Sequence, residues 1–257
     1  MRAAATLAVL VLAATAAAAG AHGAARVACP PSVASHVDPR HSYELDVIGA
    51  YGRVTDTHGR LFDVPGVNEN TTLSDPPMFG DLQQLVIDEQ ANDSYVVVLK
   101  GTNEFPAQFT LSRDRAQGPS DEYLADDVAS WFVPHSLKGA TISLAFATGQ
   151  PVASVRLCVN GQAIIPTSTV SGPKAKDQDA PRVYPKVVPE GTGQVRITLR
   201  ATDTVSGVAG MWTVVNAGRL RRLVPYSGPF VVRRGPQVIV WAVDRAGNMT
   251  TPAIATR

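Results

Sequence analysis

The feature that most constrains the fold of this chain is the shortness of its apolar runs, which alternate with polar residues and end at Gly, Pro, Asn or Asp. Residues 195–202 alternate without interruption, as a strand with one buried and one exposed face does. The 21 glycines and 19 prolines are spread along the 257 residues, as turns between strands require. Only residues 123–128 have a helical pattern, and that pattern is short. The sequence therefore predicts an all-β protein.

The first 25 residues have the composition of a secretory signal peptide. Arg2 precedes an uncharged run of Ala, Leu and Val, and small residues typical of a cleavage site follow the run. A membrane anchor is the alternative, but a spanning helix needs about 20 residues with larger apolar side chains. We therefore predict an exported protein that is secreted or held at the cell surface, with no membrane span after cleavage.

Cys29 and Cys158 are the two cysteines of the chain. Export would place them where a disulfide persists, and closing a loop of about 130 residues would stabilise the fold by several kcal/mol in the chain-entropy model. The alternative is that Cys29 is a lipidated amino terminus. Lipidation signals usually have a Leu-like residue three positions before the cysteine, where this chain has Arg26. The sequence therefore favours a Cys29–Cys158 disulfide.

The near-neutral total charge hides two oppositely charged halves. Residues 26–170 contain nine Lys and Arg and seventeen Asp and Glu, a net charge of −8, whereas residues 181–257 contain eleven and three, a net charge of +8. Residues 171–180 are polar and contain proline, which predicts a linker. We therefore predict two β-sandwich domains, an acidic one over 26–170 and a basic one over 181–257. Opposite charge suggests that the domains dock on each other. The alternatives are that the basic domain holds an anionic polymer, or that both surfaces are only solvated.

Two segments of the acidic half carry a resemblance. Residues 55–60 (TDTHGR) and the later residues 94–101 (SYVVVLKG) with 109–111 (FTL) resemble the turn and hairpin of pre-peptidase carboxy-terminal β-sandwich modules. The chain has Thr57 where that family often has Pro, and Phe109 where it often has Tyr. The resemblance implies a non-catalytic accessory sandwich, in some members a calcium- or polymer-binding one. The turn residues 101–104 (GTNE) between the apolar runs 95–100 and 108–111 predict that these two runs form a hairpin, as in that family.

The basic half carries a longer series of motifs. Residues 203–208 (DTVSGV), 225–230 (PYSGPF) and 240–248 (VWAVDRAGN) resemble, in this order, bacterial immunoglobulin-like repeats of secreted and surface proteins. The resemblance implies an immunoglobulin-like sandwich. Trp212 and Trp241 lie on predicted strands, where a place in the core is favoured over a role as ligand platforms.

Three side chains in these motifs suit tight turns. Asp203 and Asp244 can accept backbone N–H bonds at strand ends, and Asn248 can cap the turn that follows Asp244. The alternative is that Asp203 and Asp244 bind Ca²⁺ together with Asp177 and Asp179, because carboxylate oxygens are the ligands that Ca²⁺ prefers. Their spacing matches no standard calcium loop, so we predict turn capping and no resident cofactor.

Five arginines flank residues 225–230 and are candidates for an anion-binding patch. Guanidinium groups on one face of a hairpin could bind phosphates or carboxylates in bidentate fashion. The alternative is a basic face that only contacts water. The candidates are Arg219, Arg221, Arg222, Arg233 and Arg234.

The sequence contains none of the common nucleophile, metalloprotease, nucleotide-binding or redox motifs. We therefore predict that the protein is not an enzyme, and that it is an extracellular module with an adhesive, scaffolding or accessory binding role toward a protein or cell-wall polymer, without specific nucleic-acid binding. One alternative is a carbohydrate- or anionic-polymer-binding module that serves a hydrolase. Another is a hydrolase with a site near His58 or His135 in the acidic half.

Overall fold

A computed structural model describes Cys29 and residues 41–56, 70–71, 82–87, 94–102, 106–117, 122–147, 149–216 and 223–256. Antiparallel strands dominate this part of the chain, accompanied by short 3₁₀ helices at Val152–Ser154 and Gly172–Lys176. Within these ranges, no helix has the length and hydropathy needed to cross a membrane. The prediction of an all-β, sandwich-type fold is confirmed.

The first half forms two sheets that face each other. One sheet has the strand order β11-β7-β6-β1-β4-β3 and the other β10-β9-β8-β5-β2. Large side chains such as Phe109, Trp131 and Phe146 fill the space between them and have no exposed surface. The strands are β1 (His41–Ile48), β2 (Ala50–Asp56), β3 (Asn70–Thr71), β4 (Leu82–Ile87), β5 (Ser94–Gly101), β6 (Pro106–Gln117), β7 (Glu122–Ser136), β8 (Thr141–Ala147), β9 (Leu157–Val159), β10 (Gln162–Ile164) and β11 (Ser168–Ser171).

Two local predictions in this half are wrong. β5 and β6 do not form a hairpin, because β5 pairs with β2 and β8 while β6 pairs with β1 and β7 in the opposite sheet. Both strands present apolar side chains to one core from opposite sides, which a shared sheet would not allow. Residues 123–128 are not helical but belong to β7, where Ala129, Trp131 and Val133 point into the core with the period of a strand.

The Cys29–Cys158 disulfide is formed, as predicted. Cys158 lies buried on β9, so the bond ties the beginning of the described chain to the first sandwich. A disulfide-bonded Cys29 cannot carry a lipid on its sulfur, which contradicts the alternative of lipidation. Disulfides of this kind are typical of proteins in oxidising compartments.

The second half also has two facing sheets. A three-stranded sheet has the order β12-β13-β16, and the other has the order β15-β14-β17-β18 with β19 also paired to β17. Between them lies a core that includes Val195, Ile197, Val238 and Val240. The strands are β12 (Arg182–Pro189), β13 (Gln194–Thr202), β14 (Val208–Asn216), β15 (Val224–Pro225), β16 (Phe230–Arg233), β17 (Gln237–Asp244), β18 (Met249–Thr250) and β19 (Ala253–Ala255).

The segment predicted to be a linker, residues 171–180, is ordered between the two sandwiches. It begins at the last residue of β11 and continues into the 3₁₀ helix Gly172–Lys176. Ala175 on that helix is buried in a small cluster with Val128 and Val170 of the first half and Ala246 of the second. The position of the domain boundary stays a prediction, but this segment contacts both halves.

Candidate functional site

The two halves meet along β17, which is buried on both of its faces. Val238 and Val240 point into the core of the second sandwich, whereas Trp241 and Val243 point the other way, toward Phe132 of β7. Trp241 is only 1% exposed. We call this second group the junction cluster. It consists of Phe132, Val214, Leu223, Ile239, Trp241 and Val243, with Ile48, Trp212 and Met249 packed at its edge.

Contacts in the junction cluster are close and mostly apolar. The rings of Phe132 and Trp212 have centroids 4.2 Å apart and are tilted by 41°. At one side of the cluster, the N–H of Leu223 donates to the carbonyl of Pro134 over 3.1 Å. Burying large aromatic side chains contributes about 1.5–3 kcal/mol each. The described contacts between the halves are therefore apolar packing and hydrogen bonds, whereas the sequence suggested docking by opposite charge.

A turn of the second half inserts beside this cluster. Gly247 has φ +96°, and a Cβ at that position would lie 2.7 Å from Oγ1 of Thr110 and also meet Oγ of Ser130. The side-chain amide of Gln108 donates to the carbonyl of Gly247, and Oγ of Ser168 donates to the carbonyl of Arg245 over 3.3 Å. Only glycine combines this backbone angle with so close an approach to the first half.

The same turn carries two of the predicted capping residues, Asp244 and Asn248, and a separate turn at residues 203–207 carries the third, Asp203. Oδ1 of Asp244 accepts the N–H of Asn248 at 2.8 Å, and Oδ2 accepts the Asn248 side-chain amide at 2.8 Å. That amide also donates to the carbonyl of Asp177 in the segment 171–180. Oδ1 of Asp203 accepts N–H bonds from Val205 and Gly207 at 3.1 and 2.7 Å. These are the hydrogen bonds that turn capping requires.

Folding also brings three of the four carboxylates of the calcium hypothesis together. Asp177, Asp203 and Asp244 each place a carboxylate oxygen within 4.8 Å of the others, whereas Asp179 is outside this group. Oδ2 of Asp177 accepts the N–H of Ser206 at 2.9 Å, and its Oδ1 accepts that of Asp179. The donor chemistry of the three carboxylates fits Ca²⁺, which they could hold with water completing the shell. The N–H donors stabilise the same carboxylates without an ion, so calcium stays a hypothesis.

In the group of three carboxylates formed by Asp177, Asp203 and Asp244, the pKa values of two members are shifted in opposite directions. Asp244 has no exposed surface, and its burial raises its pKa to about 6. The hydrogen bonds from Asn248 act to lower this pKa, and the nearby Asp177 carboxylate acts to raise it further. Burial also acts to raise the pKa of Asp177, but the hydrogen bonds from Ser206 and Asp179 outweigh it, so that pKa is lowered. The three carboxylates thus include one, Asp244, that binds a proton more readily than usual and one, Asp177, that binds it less readily.

Of the five arginine candidates, the structure describes two. Arg233 lies at the end of β16 and Arg234 directly after it, both exposed, whereas Arg219, Arg221 and Arg222 lie outside the described residues. Arg233 is part of a larger set that the sequence reasoning missed. We call this set the basic face, the exposed side of the sheet β12-β13-β16, which carries Arg182, Lys186, Arg196, Arg200 and Arg233. The signal was present in residues 195–202, where two of the polar positions of an alternating strand are arginine.

Described residues line an open groove in the second half and a cavity between the halves. An open groove of about 420 Å³ lies along β14 and β15 and includes Tyr226 and Phe230. A second cavity of about 240 Å³ lies between the halves, where Oε1 of Gln108 is buried and has no hydrogen-bond partner among the described residues. His135 is exposed on β7 and lines neither cavity, and His58 lies outside the described residues.

Comparisons of the chain with protein-family models, with curated proteins and with solved structures found no match.

Proposed function

We propose that this protein is an exported, non-catalytic module in which two β-sandwiches, the second immunoglobulin-like, form one rigid scaffold for adhesion or accessory binding. The observation that carries the proposal is the two-sided burial of β17. One face of the strand belongs to the core of its own sandwich, and the other face, through Trp241, belongs to the interface with the first half. An exposed strand face would instead leave the halves free to move.

Three further contacts support a fixed arrangement. The segment 171–180 is held near its middle, by Ala175 in its apolar cluster and by Asp177 in its bonds to Ser206 and Asn248. The turn at Gly247 inserts against Thr110. A scaffold with such a joint keeps the surfaces of its two halves at a constant distance and angle, which a flexible tether does not do.

The polymer-binding alternative is favoured by one specific observation, the exposed basic face. It is compatible with a rigid scaffold, because a module can hold a binding surface at a fixed orientation. The hydrolase alternative gains no support from His135, which lines neither of the cavities described above.

The test is a distance measurement between spin labels in the two halves. Both native cysteines are in the disulfide, so cysteines introduced at Lys100 of β5 and Arg200 of β13, both exposed, can be labelled selectively. Double electron–electron resonance on the full chain is expected to give one narrow distance distribution. The double substitution Phe132→Ala and Trp241→Ala is expected to broaden it.

The matched control is Tyr184→Ala, which removes an aromatic side chain that is 52% exposed on the opposite sheet. This variant is expected to keep the narrow distribution. A broad or multi-peaked distribution in the unsubstituted chain would contradict a rigid scaffold.

A further inference from the structure

We propose that the basic face binds an acidic polysaccharide, a chain whose repeating carboxylate or sulfate groups pair with its exposed cations. This inference rests on the proposed function in one respect, that the module binds an extracellular partner. It adds the surface and the chemistry of that partner.

The basic face is built by the register of three strands. β13 places Arg196 and Arg200 four residues apart, about 13 Å along the strand. Arg200 lies opposite Tyr184 of β12, and Lys186 is two residues further along β12 on the same face. Neighbouring strands are about 4.8 Å apart, so the charges form a two-dimensional array and not a single row.

Most of these charges have no partner within the described part of the chain. The second half has only three acidic residues, Glu190, Asp203 and Asp244. Glu190 forms an ion pair with Arg196, and the two aspartates accept the turn bonds described above. The five cations and one adjacent carboxylate therefore leave the face with a net charge of +4.

The position of the face leaves it open to a partner. The other side of the sheet β12-β13-β16 packs on the sheet that contains β17. The outer side of the β17 sheet in turn contacts the first half. The basic face therefore points away from the acidic half, whose charge does not neutralise it at contact distance.

The face also has the residue types of binding surfaces. Tyr184, Val188 and Val231 are 52%, 41% and 42% exposed among the cations. Tyrosine and arginine are enriched where proteins bind partners, because they combine apolar area with hydrogen bonding. Apolar area next to spaced charges suits a chain of sugar rings that carry acidic groups.

An acidic polysaccharide fits better than nucleic acid or a second copy of the chain. The disulfide is typical of secreted and cell-surface proteins. Basic patches of proteins bind acidic polysaccharides such as heparin. The base sequence of duplex DNA is usually read by a helix or a ribbon that enters the major groove, whereas this face is the broad side of a sheet. Nucleic acid and self-association are therefore alternative outcomes of the test.

The experiment measures the affinity of the full chain for a heparin oligosaccharide by titration calorimetry at several salt concentrations. An oligogalacturonate, which has carboxylates and no sulfates, distinguishes the two acidic groups. We expect binding that weakens as salt rises, because cations on the face displace counterions from the polymer. The double substitution Lys186→Glu and Arg200→Glu is expected to lower the affinity about tenfold or more at ~0.1 M salt.

The matched control is Lys100→Glu with Lys174→Glu, which makes the same change in net charge at exposed sites on β5 and on the 3₁₀ helix Gly172–Lys176, outside the three strands of the face. It is expected to bind within about twofold of the unsubstituted chain, since charges beyond a Debye length are screened. If the Glu variant unfolds at a lower denaturant concentration, Lys186→Gln with Arg200→Gln replaces it, with a smaller loss of affinity expected.

Three outcomes would overturn the proposal. The first is no binding of either oligosaccharide, or an equal loss in the control. The second is tighter binding to a DNA duplex of matched charge, and the third is salt-sensitive self-association in sedimentation that the Glu variant abolishes. If neither oligosaccharide binds but the spin-label distance distribution is narrow, the polysaccharide partner alone is refuted. A broad spin-label distance distribution would refute the rigid scaffold.

Discussion

The two outer faces of the second sandwich have opposite chemistry. The face of β17 presents Ile239, Trp241 and Val243, and the first half covers it. The corresponding face of β13 presents Arg196 and Arg200 to solvent. Both strands send alternate residues into the same core, so the difference lies only in the outward positions. A strand whose outward positions are also apolar needs a second layer, and one with charged outward positions needs none.

The comparison explains why the halves pack as they do although their charges are opposite. Long-range attraction between −8 and +8 can steer the halves together, but the described contacts that hold them are apolar. Five described cations of the second half lie on the basic face, which points away from the first half. The basic face therefore remains available for another partner.

Removal of one aromatic side chain from each face gives the largest expected contrast. Trp241→Ala would leave a cavity in the junction cluster and is expected to lower the free energy of unfolding by about 3–5 kcal/mol. Tyr184→Ala, on the exposed face, is expected to change it by less than about 1 kcal/mol. Denaturant unfolding of both variants measures the difference, and equal losses would contradict the assignment of the two faces.

A substitution in the inserted turn tests the junction without removing a large side chain. Gly247→Ala would place a methyl group against Thr110 and Ser130 at positive φ, and is expected to cost about 2–4 kcal/mol. Gly235→Ala is the matched control, because its φ of +112° is similar but no atom lies within 4 Å of the added Cβ. The control is expected to lose only about 1–2 kcal/mol in the same unfolding experiment. If the two losses are equal, the turn does not press against the first half.

The last expected effect is a gradual dependence of stability on pH. Burial raises the pKa of Asp244 in the turn and of Asp114 in the first sandwich from 3.8 to about 6. Each group binds its proton more tightly in the folded state, so its stabilising contribution is full below pH 4 and is lost as pH rises through about 6. The melting temperature is therefore expected to fall between pH 4 and pH 7 in the presence of a chelator.

Isosteric variants separate the two contributions to this fall. Asp244→Asn is expected to remove the part that belongs to the turn, and Asp114→Asn the part that belongs to the first sandwich. Asp177 has a lowered pKa, so its effect has the opposite sign and is confined to pH below its usual range. A melting temperature that rises from pH 4 to pH 7 in the unsubstituted chain would contradict these assignments.

The sequence predicted what local pattern determines. Residues 195–202 alternate, and β13 follows them almost residue for residue. The dipeptide Asn160–Gly161 predicts a tight turn, and both residues have positive φ between β9 and β10. In both cases, a few neighbouring residues decide the structure.

The sequence could not predict what depends on distant segments. Residues 238–243 are all apolar, which in retrospect indicates burial on both faces, but nothing local identifies Phe132 as the residue that covers Trp241. The turn after β5 suggested a hairpin, whereas the pairing of β6 with β1 is set by the whole first sandwich. Asp177 joined Asp203 and Asp244 in the calcium hypothesis, but only the fold brings the three carboxylates together.

The most direct test of the account is whether the two sandwiches unfold together. Hydrogen exchange with mass spectrometry, followed along a denaturant series, reports separately on β5 in the first core and β13 in the second. We predict one shared midpoint in the unsubstituted chain and two separate midpoints in Trp241→Ala. Two separate midpoints in the unsubstituted chain would contradict the claim that the junction cluster joins the halves into one unit.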